Sequence, residues 1–81
     1  MSEDPKERTR TYLVTIERSL KLAETTRNPD ALRVIDHARR YVADSKYFLE
    51  TEKPTTALAS VAYAEGLLDS LNIIGLIESR A

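Results

Sequence analysis

The sequence predicts an all-α fold, an up-down-up antiparallel three-helix bundle. Each of the chain's three prolines stands where a helix can begin. Between them the apolar residues recur at alternating steps of three and four, the period of a helix with one buried face. Nothing alternates with period two over a useful length, and no hairpin dipeptide occurs.

Helix 1 is expected at about 5–26. Asp4 can act as N-cap, Pro5 occupies the favoured first helical position, and Glu7 stands at N3, close to a capping box. Its apolar stripe is Leu13, Ile16, Leu20 and Ala23, with Tyr12 alongside. Helix 2 is expected at about 29–52. Asn28 is its N-cap, Pro29 its first residue, and Asp30 sits in the positively polarised first turn. The stripe Ile35, Ala38, Val42, Ser45 and Leu49 is widened by Val34, Tyr41 and Phe48. Helix 3 is expected at about 54–74, because Lys53 precedes Pro54 and is pushed out of the α region. Ala57, Ala64, Leu67, Leu68, Leu71 and Ile74 share one broad face, taken as its core side. Gly75 then reads as a C′ glycine with Leu76 folding back. Leu13, Ile16, Leu20, Ile35, Val42, Leu49, Leu68 and Leu71 are expected to be mostly buried.

At 81 residues the chain reads as one domain, 1–81, with a thin core. It contains no cysteine, which excludes disulfides and thiolate chemistry and fits a reducing compartment. The charged start MSEDPKERTR does not read as a signal peptide, and the apolar stretch LLDSLNIIGLI is too short to span a bilayer. A cytoplasmic protein without membrane contact is the expectation. With 12 basic and 13 acidic side chains, the chain has no general electrostatic reason to bind nucleic acid. The distribution is uneven, however. Residues 54–81 carry only Glu65, Asp69, Glu78 and Arg80.

Gly66 interrupts a strong helix, at a cost of roughly 1 kcal/mol relative to alanine. It belongs to a second row on helix 3, Ala59, Ala62, Gly66, Ser70 and Ile73, roughly opposite the core face. A row this small suits close approach by another helix, from the same chain or from a second subunit; equally, Gly66 reads as a tolerated surface glycine, or tilt within the bundle uses both faces. That row, with Tyr47 on the polar side of helix 2, is the candidate interaction surface. Between the two faces runs a polar strip, Glu65, Asp69 and Asn72. Two carboxylates and an amide could ligate a hard cation, but no Glu-x-x-His pair accompanies them. Pairing with arginines, or exposure to water, is the expectation. His37, the single histidine, lies on the rim of helix 2 near Arg33, Tyr41 and Asp44, and no nucleophile is placed beside it. Arg33, Asp36, Arg40 and Asp44 read as a solvated charged face, and Tyr12, Tyr41 and Tyr63 as core or core-edge residues. No catalytic, cofactor or metal site and no small-molecule substrate are assigned.

Residues 38–75, ARRYVADSKYFLETEKPTTALASVAYAEGLLDSLNIIG, resemble an archaeal family catalogued as domain of unknown function 357. The run Tyr47, Phe48, Leu49, Glu50, then Ala57, Leu58, Ala59, then Ala62 to Asp69 carries the resemblance, and AYAEGLLD is its specific block. The match is close over nearly half the chain and loose through helix 1. EKPTT stands where the family has a Gly-Asp turn, so the turn before helix 3 is expected to differ. The resemblance implies a small all-helical protein with no established catalytic residues to carry over. Relatives fused to nucleotidyltransferase-like domains would fit an accessory role.

Two functions follow as expectations. The first is a non-catalytic module that self-associates or binds a partner protein. The alternative is a nucleic-acid- or nucleotide-linked accessory domain working with a nucleotidyltransferase-like partner. Nuclease members of such pairs use an arginine followed by a histidine. Arg33 and His37 are the nearest approximation, one residue tighter than that pattern. A lone tetratricopeptide-like hairpin is a third reading, but the chain shows no repeat.

Overall fold

The computed structural model describes residues 4–78. Its helices are α1 (Pro5–Ala23), α2 (Pro29–Glu50) and α3 (Pro54–Ile73), with no strand among the described residues. The starts follow the local signals. The Asp4 carboxylate accepts from the Lys6 N–H at 3.0 Å, and the Asn28 side chain accepts from the Ala31 N–H at 3.0 Å. Lys53, which opens α3, makes no side-chain cap hydrogen bond.

The ends fall one to three residues short of expectation. After Ala23 the Thr25 hydroxyl donates to the Leu22 carbonyl at 2.8 Å. The Thr26 hydroxyl donates to the Leu76 carbonyl at 3.0 Å, which joins the C-terminal ends of α1 and α3. α2 closes with Lys53 N–H on Phe48 O at 2.8 Å and Glu52 N–H on Leu49 O at 3.3 Å, the two bonds of a Schellman motif. Glu52 therefore sits at φ 61°, a conformation that favours glycine. α3 closes the same way, with Leu76 N–H on Leu71 O at 2.9 Å, Gly75 N–H on Asn72 O at 3.1 Å and Gly75 at φ 79°. The reversal at Gly75 lays Leu76 against the core and buries Ile77.

α3 is the hub of the bundle. It packs most extensively against α2 and next against α1, and α1 and α2 touch least. Where α1 and α2 diverge, the ion pairs Glu17–Lys46 and Glu24–Arg39 span the gap. The buried stripes are Thr9, Leu13, Ile16, Leu20 and Ala23 on α1, then Ala31, Ile35, Ala38, Val42 and Ser45 on α2. On α3 the stripe is Ala57, Val61, Ala64, Leu68 and Leu71. Every seventh residue of α2's stripe is small (Ala31, Ala38, Ser45), as are Ala57 and Ala64 on α3. The buried Ser45 hydroxyl donates to the Ala57 carbonyl at 2.8 Å and fixes the antiparallel register. One heptad on, Ala38 comes level with Ala64. Backbones can approach closely along this seam because no side chain larger than a methyl or hydroxymethyl group separates them.

Two burial expectations on α3 are corrected, and one on α2 is met only at the core's edge. Leu49 packs against the core without being fully enclosed, because the register sets it level with Lys53, where α3 has not yet begun. Ile74 is 65% exposed, because α3 ends one residue earlier and Leu76 and Ile77 fold onto the core instead. Val61, absent from the expected face, is fully buried. On α3 these shifts amount to one rotation. The buried stripe is centred roughly 40° away from Leu71, towards Glu65 and Asn72. The cause is packing on both flanks. Tyr41 meets Tyr63 on the α2 side, which leaves α1 the flank carrying Leu58, Glu65 and Asn72.

Glu52→Gly should raise stability by about 0.5–1 kcal/mol, since it relieves a left-handed backbone and removes a negative charge from a helix C-terminus. Urea denaturation of the variant beside the wild type measures this. Ala64→Leu should lower stability by about 1–3 kcal/mol or more through overpacking of the α2–α3 seam, read by the same titration.

Candidate functional site

With α2 on one flank of α3 and α1 on the other, roughly a third of the helix's circumference faces outward. Ala59, Ala62, Gly66, Ser70 and Ile73 occupy that arc, and all five are exposed. Ile73 is 74% exposed. The Ser70 hydroxyl donates to the Gly66 carbonyl at 2.8 Å, so its proton is turned back onto the helix's own backbone. The arc is therefore smooth, uncharged and poor in free donors, with the exposed carboxylate of Asp69 at its rim. The outer faces of α1 and α2 are densely charged by comparison, with Arg10, Glu17, Arg18 and Lys21 on one and Asp30, Arg33, Asp36, Arg40 and Asp44 on the other.

Gly66 faces open space. A Cβ built there meets nothing within 4 Å. Close approach by a helix of the same chain is thereby corrected, and within the single chain Gly66 is the exposed surface glycine of the alternative reading. The small seam inside the bundle lies on the opposite side of α3, at Ala57 and Ala64. Tyr47 is 60% exposed and stacks edge-on with Phe48 at 5.6 Å. It lies roughly opposite α2's buried stripe and does not join the α3 face.

The polar strip is drawn inward by the rotation of α3. Glu65 and Asn72 are half-buried and Asp69 is exposed. Burial pushes the Glu65 carboxyl above its ordinary value, and the negative charge of Asp69 one turn on adds to the shift. Neither carboxylate forms an ion pair among the described residues, so of the two expected arrangements arginine pairing is corrected, and Asp69 faces water while Glu65 is half-buried. Among the described residues no group of three or more His, Cys, Asp or Glu side chains is placed to hold a metal ion.

His37 joins a ring cluster. Its imidazole meets the Tyr41 ring edge-on at 5.2 Å and the Tyr63 ring at 6.4 Å, and the two tyrosines stand 4.4 Å apart. Tyr63 is 49% exposed, a correction to its reading as core or core-edge, and follows from the same rotation of α3. The i, i+4 spacing of His37 and Tyr41 was visible in the sequence, but the third ring depends on helix pairing. Beside the cluster lies a groove of about 530 Å³ lined by Asp30, Arg33, Val34, Asp36, His37, Arg40 and Leu67. The Arg33 guanidinium donates to Asp30 at 3.3 Å, so it is engaged in an ion pair beside His37.

Gly66→Ala should stabilise the dilute chain by about 0.4–1 kcal/mol, because the added methyl meets open space and the unfolded chain loses freedom. Thermal and urea melts at low concentration check this. Glu65 generates a pH prediction. A raised carboxyl binds its proton more tightly in the folded state, so stability falls as pH rises from the ordinary glutamate range through the raised value. Glu65→Gln should therefore be more stable than wild type at neutral pH, with the advantage fading below the ordinary carboxylate range. Denaturation midpoints across pH, with a carboxyl NMR titration of Glu65 in wild type and Asp69→Asn, read both the window and its cause.

The sequence matches the family model described as a protein of unknown function, DUF357, over residues 10–77. No curated protein and no solved structure matches the chain. The family match runs from the second turn of α1 to the buried Ile77 and includes the rest of α1, all of α2 and α3, and the α3 face. The chain belongs to the DUF357 family.

Proposed function

We propose that the chain is a non-catalytic helical module that works by association, and that the outward arc of α3 is its docking surface. The observation that carries this reading is the absence of charge on Ala59, Ala62, Gly66, Ser70 and Ile73, in a chain whose residues are 31% charged. A solvated helix face normally carries Lys, Glu or Arg, and an uncharged arc flanked by charged faces is the pattern of an interface. Self-association is the simplest form, because the arc complements itself. In an antiparallel pair with its two-fold axis at Gly66, the two glycines face each other, Ala62 comes level with Ser70, and small Ala59 comes level with large Ile73. A partner protein with a similar helix face is the other form.

Chemistry of its own has little support. The one histidine packs among tyrosines, and the neighbouring arginine is paired. A nucleotide-linked accessory role has less support than association. The groove beside His37 sets Asp30 and Asp36 against Arg33 and Arg40, a balance that gives an anion no net attraction. No helix among the described residues is long and apolar enough to cross a membrane. A cytoplasmic setting in an archaeal cell completes the reading. It rests on the cysteine-free composition and on the resemblance of residues 38–75.

Sedimentation equilibrium over a wide concentration range tests self-association, and a strict monomer throughout would overturn it. The chain has no cysteine, so Gly66→Cys places one thiol at the proposed axis. Mild oxidation should give a disulfide-linked dimer with Gly66→Cys and little with Tyr47→Cys on the far side of α2. Gly66→Leu should weaken association at least tenfold while circular dichroism shows the helices intact. Purified wild-type protein should show no nuclease or hydrolase turnover, and activity abolished by His37→Ala in a folded variant would reverse the non-catalytic assignment.

A further inference from the structure

We draw no further inference here: the strongest candidate, the open groove between α2 and α3 beside the Tyr41–Tyr63 ring pair, carries nothing, because its acidic and basic side chains balance and nothing in the structure shows what covers it.

Discussion

The close seam between α2 and α3 sets the rest of the structure. Its members are small: Ala31, Ala38 and Ser45 on one helix, Ala57 and Ala64 on the other. The one polar group in it is satisfied, since the Ser45 hydroxyl donates to the Ala57 carbonyl at 2.8 Å. A buried hydroxyl without that partner would cost roughly 1–3 kcal/mol, so the bond also penalises any slip of register. Once α2 and α3 are locked this closely, the larger side chains must fill the space to one side. Ile35 and Val42 on α2 and Val61 and Leu68 on α3 do so, and α1 closes over them with Leu13, Ile16 and Leu20. α1 is held mainly by α3, and its edge towards α2 is bridged by half-exposed ion pairs. Such pairs contribute about 0–1 kcal/mol each, so the apolar contact with α3 anchors α1.

This hierarchy explains which features were legible in the sequence. Helix starts were, because a cap and a first-turn proline act within four residues of each other. Pro5, Pro29 and Pro54 each open a helix. The C-terminal glycine turn at Gly75 was legible for the same reason. Helix ends were less so. The Thr26 hydroxyl bonds a carbonyl fifty residues away, and Glu52 adopts a glycine-like conformation with no glycine to announce it. Most of the core of α1 and α2 was readable because each helix buries one stripe, but the fully buried Thr9 and Ala31 lay outside the expected stripes. α3 buries two flanks, so the centre of its apolar mass and the centre of its buried arc differ by roughly 40°. Reading the mass placed Ile74 inside and overlooked Val61. The same rotation brings Glu65 against the core and carries Tyr63 outward to His37. The exposed row was visible in the sequence as a set of residues, but its position outside the bundle was not, because a row of small residues looks the same whether it faces a neighbour within the chain or solvent.

The placement of Gly66 changes how its cost is understood. A glycine in a helix interior is about 1 kcal/mol worse than alanine, and a glycine wedged against a neighbouring helix would recover that through contact. Here no atom outside the helix's own backbone approaches within 4 Å of where a Cβ would lie, so the folded chain recovers nothing. Ile73, two turns on, is left 74% exposed where a charged residue would be solvated better. Both features fall on the arc that α1 and α2 leave free, where Asp69 at the rim is the one charged side chain beside Ala59, Ala62, Gly66, Ser70 and Ile73. Each is a small loss for an isolated chain that the proposed association along α3 would turn into a gain, with glycine setting the distance of approach and isoleucine supplying the apolar surface to bury. In a bundle whose own close seam is built from alanines and one bonded serine, the outer arc repeats that small-residue chemistry on the opposite side of the same helix.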